Sequence, residues 1–459
     1  MSAPENEVDR WPDERRAWLA FIGVAAAVLL AGLDRAIIGL LIEPLRADLA
    51  LSDSQIGLLG LAFGLFYAIM ALPFGWLVDR VSRVALLSGA MAFWSAMTVL
   101  SGLVASFGGL FVARAGVGLG EASLMPSSSS LLSDYFRPDR LPLAMGSFVA
   151  AGLFGASFAF IAGGWLFDIA SRMGALHLPL LGVVRPWQTT LLAAGAAGMA
   201  ASLLLPLIGE PGRKGRLSRQ AEPIAFRQTL SFLRRRRRFT LLHNLGFGFS
   251  GLYIAALFLW APSFLTRTYG WSMAQASLGF GAAMMVAGLP GLYGAGWLVS
   301  RMMRNGRKEA PLRIATLGLV ALTPVAVAAP LMGNGIAALV LMSLSMLLFS
   351  LPAAAPQASL QLITPNELRG KAIALLTIAA NAVGMILGPT SVAVLNDRVF
   401  GDPNAIHLSL SIVSGLSVGI AALLLGLALP EYRRRAELAA QGIFDPDDRQ
   451  LSSIQKDIP

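Results

Sequence analysis

Twelve runs of about 20 apolar residues dominate this chain, and that pattern leaves few folds open. They lie at roughly 17–41, 55–78, 84–105, 108–132, 142–167, 187–208, 239–264, 274–299, 312–332, 336–362, 371–395 and 407–429. Loops as short as Ala105-Ser106-Phe107 separate them. Inside lipid no water reaches the backbone, so every peptide group must bond within its own segment, and each run is predicted to be a spanning helix. Composition closes off the soluble alternative. Only 14% of the 459 residues are charged and 56% are hydrophobic, whereas a soluble domain carries about 25% charged residues. The expected fold is an all-α membrane protein with twelve transmembrane helices in two six-helix pseudo-repeats.

The basic residues set the expected orientation. With both termini in the cytoplasm, 29 of the 36 Lys and Arg residues fall on the cytoplasmic side, two lie within helices, and five lie outside: Arg46, Arg172, Arg185, Arg267 and Arg398. Short cytoplasmic loops carry such an excess in membrane proteins. The net charge of +10 therefore points to membrane topology and not to nucleic acid. Residues 1–16 form a polar tail without the basic start, short apolar core and cleavage site of a signal peptide, so the first run is expected to persist as a helix. The organisation expected is a tail at 1–16, a six-helix half at 17–208, a basic linker at 209–238, a second half at 239–429 and a cytoplasmic tail at 430–459, unstructured beyond Arg435. The linker holds ten basic and two acidic residues. Phe226, Leu230 and Leu233 recur there at helical spacing just before Arg234-Arg235-Arg236-Arg237-Arg238. That suits an amphipathic helix on anionic lipid, with plain topological anchoring or a partner site as the alternatives. Arginine outnumbers lysine heavily, as in GC-rich bacterial genomes, so a bacterial inner membrane is the expected location.

The two halves repeat. Gly75-Trp76-Leu77-Val78-Asp79-Arg80 returns as Gly296-Trp297-Leu298-Val299-Ser300-Arg301, each copy ending the second helix of its half. Pro44 matches Pro262, and Pro138-Asp139-Arg140 matches Pro365-Asn366-Glu367. Repeats of this kind place a binding site near the midplane, between halves that rock against each other.

Gly75 to Arg80, continuing as Val81-Ser82-Arg83, resembles the loop signature of the major facilitator superfamily. That resemblance implies a cytoplasmic gate at Asp79, Arg80 and Arg83, with Asp79 capping the eleventh helix and Arg83 supporting it. Ser300 replaces the acid in the second half, so a latch there is expected to be weaker. Four further segments are similar to the spinster branch of the superfamily. They are Leu33-Asp34-Arg35, Leu51 to Leu59 with its Ser52-Asp53-Ser54-Gln55, Phe93-Trp94-Ser95, and Arg114 to Ser123 with its Gly116, Gly118, Gly120 and Glu121. The resemblance implies transport, and for animal members a lysophospholipid or sphingosine phosphate cargo.

Charges within a span cost on the order of 2.5–3.5 kcal/mol each. Four lie clearly inside: Asp34 and Arg35 on the first helix, Arg114 and Glu121 on the fourth. Seven residues bring Arg114 and Glu121 back to one helix face. The expected pairs are Asp34 with Arg114 and Arg35 with Glu121. They are read either as a purely structural network or as a proton-coupling site whose freed arginine holds an anion. No membrane-embedded charge marks the second half. Its polar candidates for a substrate cavity are Asn244, Tyr253, Gln357, Gln361 and Asn381, among Phe247, Phe249, Trp260, Met284 and Met285. These rings and thioethers equally suit packing. Pro126 is expected to kink the fourth helix about one turn past Glu121. The glycines of that helix read as close helix packing and not as a dinucleotide loop, since no strand precedes them.

Enzymatic readings fail one by one. There is no cysteine, so thiolate chemistry and disulfides are excluded. His177, His243 and His407 share no ligand spacing, so neither metal nor cofactor is expected. Gly248-Phe249-Ser250-Gly251 matches a short intramembrane serine protease pattern, but His243 lies two turns from Ser250 on the same helix, beyond hydrogen-bond reach. The reading is therefore a secondary active transporter working by alternating access, expected to couple to protons through the charges above and to carry an amphipathic or organic anion. Its partners are the bilayer, a small-molecule or lysolipid substrate and protons, and the chain is expected to act as a monomer. The alternatives are a carrier of small hydrophilic acids or drug-like compounds, and a sensor built on a transporter fold.

Overall fold

The computed structural model describes residues 11–179, 182–213, 226–353 and 355–444. Among the described residues there are sixteen α-helices. The first six spans are α1 (Glu14–Leu40) continuing as α2 (Ile42–Leu49), α3 (Asp53–Val78), α4 (Arg83–Leu103), α5 (Phe107–Glu121) with α6 (Leu124–Tyr135), α7 (Leu141–Met173) and α8 (Pro186–Leu204). After α9 (Phe226–Arg235) follow α10 (Arg237–Tyr269), α11 (Met273–Arg304), α12 (Ala310–Ala328), α13 (Gly335–Ala353) with α14 (Ala355–Ile363), α15 (Asn366–Val394) and α16 (Ile406–Ala440). Eleven helices among the described residues are long and apolar enough to cross a membrane. The twelfth span is α5 with α6, shortened in each piece by a break at Ala122-Ser123. This is an integral membrane protein of twelve helices in two six-helix pseudo-repeats.

The breaks have a common cause. A proline ring clashes with the carbonyl four residues earlier and offers that carbonyl no N–H. Pro126 stands four residues after Ala122, where α5 gives way to α6, and Pro44 stands four after Leu40, where α1 ends. The kink therefore falls directly after Glu121, earlier in the helix than the sequence suggested.

Helix starts are fixed by side chains. Asp13 accepts from the Arg16 N–H at 2.8 Å, opening α1. Ser52 and Gln55 form a reciprocal capping box on α3, and Ser272 and Gln275 repeat it on α11 at 3.0 and 3.2 Å. Each such cap contributes about 1 kcal/mol. The second box extends the sequence repeat, because it begins the helix that ends in Gly296-Trp297.

The chain divides into two compact units. The first holds Met1–Ala221, Ala255–Met285 and Met385–Leu410, and the second holds Glu222–Ile254, Val286–Gly384 and Ser411–Pro459. These units cut across the expected division at the linker. In the first, α1, α3, α4, α5, α6 and α7 bury one core around Trp94, Phe63, Leu131 and Tyr135. A short hairpin, β1 (Leu176–Leu178) with β2 (Gly182–Val184), joins α7 to α8, an element the apolar pattern did not announce. The outer faces carry exposed apolar side chains such as Trp165, Leu203 and Leu207, as lipid solvation requires.

In the second unit α9 falls where an amphipathic helix was expected. Phe232 and Leu233 are buried while Leu230 is exposed, and the Arg236 guanidinium stacks on Phe232 with 3.8 Å to the ring centroid. The side chain of Phe226 and residues 214–225 of the linker lie outside the described residues. The tail differs from expectation: α16 runs through Pro430 to Ala440 instead of losing structure after Arg435. Tyr432 and Ala436 are buried, and Tyr432 stacks on Phe239 of α10 at 6.0 Å. That packing holds the extra turns despite the proline.

Candidate functional site

Neighbouring residues on a helix diverge by about 100°, and this separates Asp34 from Arg35. Both lie in the last two turns of α1. Asp34 turns toward α4 and accepts from the Thr98 hydroxyl at 2.9 Å. Arg35 turns toward α5 and donates from Nε to Glu121 Oε2 at 2.6 Å. The ion pair has a wet and a dry end: the Arg35 side chain is 38% exposed and that of Glu121 is 0%. The structure thus brings together Arg35 and Glu121.

Arg114 behaves differently. It is buried, yet its guanidinium makes no hydrogen bond or ion pair among the described residues, and its Nη1 is without a partner. The expected pair of Arg114 with Asp34 is not formed. Asp34 takes the Thr98 hydroxyl instead, and Arg114 lies against the Phe63 ring, 5.5 Å from its centroid. Arg35 is 5.5 Å from the same ring and 5.3 Å from Tyr67. A ring face near a cation is worth from about 0.5 to 2 kcal/mol, more when water is excluded. Glu121 Oε1 is also buried and unpartnered. Two acids and two bases balance formally, but their hydrogen-bonding capacity is only partly used.

Glycine makes this arrangement possible. A Cβ at Gly118 would sit 2.2 Å from the Phe63 carbonyl oxygen of α3. Only glycine lets α5 lie that close, and the approach delivers Phe63 between the two arginines. On the α4 side Gly120 meets the Trp94 Cβ and Gly116 meets Met97. The glycine run of α5 is a packing device, as small residues between membrane helices are.

The superfamily model described as "Major Facilitator Superfamily" matches residues 24–389. The chain belongs to the major facilitator superfamily. It is similar to an MFS-type efflux pump of Mycolicibacterium smegmatis, 31% identical over 95% of this chain and 98% of that one. It is similar to the human protein spinster homolog 1, 26% identical over 92% of this chain and 83% of that one. Among solved structures it matches a bacterial homolog of the human lysosomal transporter Spinster, inward-facing and unoccupied. The TM-score is 0.76 at 22% identity, covering 95% of this chain and 100% of that chain. Within the superfamily the chain is spinster-like, and it is a membrane transporter, not an enzyme.

The other positions of this major facilitator that sequence singled out are placed unevenly. Asp79 and Arg80 are exposed. Arg80 stacks on Trp76 at 3.9 Å and donates to its carbonyl at 3.0 Å, while the Asp79 carboxylate makes no hydrogen bond or ion pair among the described residues. Arg83 is the buried member. It pairs with Asp134 and, through Nε at 2.8 Å, with Glu210, and its remaining N–H groups donate to the Ser130 and Pro211 carbonyls at 3.0 Å. Burial would push the Glu210 carboxyl up. The Val84 N–H and the side chains of Arg83 and Ser82 outweigh burial and hold it below the usual carboxylate range.

In the second unit Gln357, Gln361 and Asn381 are exposed and Asn244 is half-buried. Tyr253 is 1% exposed and packs on Phe349 at 5.8 Å, which makes it a core residue. His243 is buried and hydrogen-bonds Ser359 at 2.8 Å, so it does not serve Ser250.

Sequence reasoning missed Phe63, Tyr67 and Thr98 around the charges, and Asp134 and Glu210 around Arg83. The aromatic pair carried a faint signal: two rings one turn apart beside Gly64 on the second helix. Asp134 and Glu210 carried none, because a charge at a helix end resembles any other loop charge.

Proposed function

We propose that this chain is a secondary active transporter that works by alternating access and couples to protons through Glu121. The observation that carries the reading is the ion pair of Arg35 with a fully buried Glu121, beside an Arg114 whose guanidinium is not spent on protein. A carboxylate in an apolar site holds its proton more tightly, and a nearby arginine opposes that. Moving Arg35 away from Glu121 during the cycle changes that balance, so Glu121 takes up a proton in one state and releases it in the other. Arg35 and Arg114 then offer planar, forked donors to an anionic group.

The cargo that suits this layout is an amphipathic or organic anion. Its head would meet the arginines, and Asn244, Gln357, Gln361 and Asn381 would serve the rest. The spinster resemblance favours a lysolipid-like molecule. The efflux pump among the relatives supports a second reading, a drug-like compound. The excess of arginine over lysine supports a bacterial inner membrane, the positive-inside distribution supports cytoplasmic termini, and a monomer suffices for the mechanism. Uptake of a labelled lysophospholipid and a labelled small organic acid into proteoliposomes, with and without an imposed pH gradient, tests the reading. Gradient-dependent movement of the lysolipid is expected. Movement indifferent to the gradient contradicts proton coupling, and movement of the small acid alone discards the lipid cargo.

A further inference from the structure

The segment Leu51-Ser52-Asp53-Ser54-Gln55 has a part that capping does not explain. Asp53 is the first residue of α3 and its side chain is fully buried. Three side chains converge on it. Arg267, near the end of α10, makes a forked contact, Nη1 to Oδ2 at 2.8 Å and Nη2 to Oδ1 at 3.0 Å. Arg46 Nε on α2 stands 3.4 Å from Oδ1. Asn396, in the π-helical turn after α15, donates to Oδ2 at 2.9 Å. Arg267 also donates from Nε to Glu43 at 2.8 Å, while Arg46 Nη1 lies 3.8 Å from the other oxygen of Glu43. Asp397 accepts from the Ser54 N–H at 2.6 Å, beside the same cluster. All these residues belong to the first unit.

The repeat gives the cluster its logic. Arg46 and Arg267 each stand five or six residues before a Ser that opens a capping box, one in each half of the sequence. Asp53 has no such partner: the residue after Ser272 in the second capping box is Met273. Two arginines, one from each half of the sequence, thus share a single unduplicated acid. Arg46 sits seven residues before Asp53 and in the same half, so it travels with it. Arg267 belongs to the other half in sequence.

We propose that Asp53 is the lock of a gate at the α2–α3 end of this bundle, held shut by Arg267 and passed to Arg46 when the gate opens. This inference rests on the alternating-access reading above. Withdrawing Arg267 on its own would leave a buried carboxylate uncompensated, which is strongly unfavourable. Arg46 is already within reach of both acids that Arg267 leaves behind. It swings onto them as α10 departs, so the open state keeps its charge paired and the two states stay close in energy. Discrete exchange of partners between two arrangements is what a switching interface needs.

The chain has no cysteine, so Ser277→Cys supplies a lone thiol. Ser277 on α11 is fully buried against α7, where a Cβ on Gly164 would fall 1.8 Å from its hydroxyl oxygen. The full-length purified protein in detergent, reacted with a maleimide, reads gate opening as a labelling rate and needs no substrate. A wrong cargo therefore leaves the test intact. In the Ser277→Cys background, Arg267→Ala is expected to speed labelling at least about tenfold through a shift of population to the open state. Arg46→Ala is expected to slow it below the parent rate. Should Arg267→Ala fail to accumulate, the isosteric Asp53→Asn carries the same expected acceleration. Parent-rate labelling in Arg267→Ala, or in Asp53→Asn where that variant stands in, overturns the lock. A rate in Arg46→Ala equal to or above the parent overturns the exchange.

Discussion

Three buried arginines in the first unit are treated in opposite ways. Arg83 and Arg267 sit near helix ends, and their guanidinium groups are satisfied by carboxylates and backbone carbonyls. Arg114 sits within a span, equally buried, and has a ring face and an unpartnered Nη1. A buried polar network that is fully satisfied rigidifies, and one left half-satisfied is costly to keep. The membrane raises that cost, since lipid offers no replacement donors or acceptors. The satisfied arginines therefore read as fasteners that hold one state. The unsatisfied one, with its neighbour Glu121, reads as the part of the molecule that awaits a ligand or a proton.

Breaking a fastener should cost most. Arg83→Ala removes the buried guanidinium that pairs with both Asp134 and Glu210, and removing one partner of a buried ion pair is a loss on the order of 3–5 kcal/mol. A clear fall in the thermal unfolding midpoint of the detergent-solubilised protein is the expected result, and an unchanged midpoint would dissolve the contrast with Arg114. Arg114→Ala should act the other way round. It forfeits a ring contact but no hydrogen bond to protein, so the midpoint should fall less than in Arg83→Ala, while apparent affinity for an anionic substrate falls. Hydrogen bonds to a charged group contribute about 1.5–3 kcal/mol, roughly 10- to 100-fold in affinity. Arg114→Lys should recover part of that loss, because an ammonium cannot form the planar fork.

The smallest effect expected is a pH dependence at the Arg83 fastener. The folded state holds the Glu210 carboxyl below its ordinary value. The stabilisation is thus present above the unfolded pKa, near pH 4, and is lost as pH falls through the lower folded value. The slope should be shallow, because the Glu210 side chain is 31% exposed. Glu210→Gln should flatten the acid limb of a plot of unfolding midpoint against pH, and an unchanged limb would remove Glu210 from the fastener.

Much of this was legible in the sequence, for reasons tied to lipid. Spans must be apolar for about 20 residues, so eleven helices stand out even without tertiary contacts. The fourth was legible as well, although Arg114, Glu121 and Pro126 interrupt it. The four charges were conspicuous because charge is rare in a span. What the sequence did not carry was direction. Arg35 with Glu121 was one of the two expected pairs, but nothing in Asp34-Arg35 says that Asp34 takes the Thr98 hydroxyl in place of Arg114, since that depends on how α1 is rotated against α4 and α5. The ring partner of Arg114 was invisible for a similar reason: Phe63 reaches it only because Gly118 admits α3. Arg267 and Asp53 lie too far apart in the chain for any local pattern to join them, and the spinster-like segment around Asp53 gave it no partner. The helical run past Pro430 was hidden because its support, Tyr432 on Phe239, is tertiary.

The central claim is that Glu121 is the proton-carrying group. Glu121→Gln keeps the shape of the side chain and removes its titration. Wild type and variant, reconstituted in parallel, should be compared for pH-gradient-driven uptake and for exchange of substrate across a membrane without a gradient. The account predicts that driven uptake in the variant falls to the level of empty liposomes while exchange persists, and full gradient-driven uptake by Glu121→Gln would contradict it.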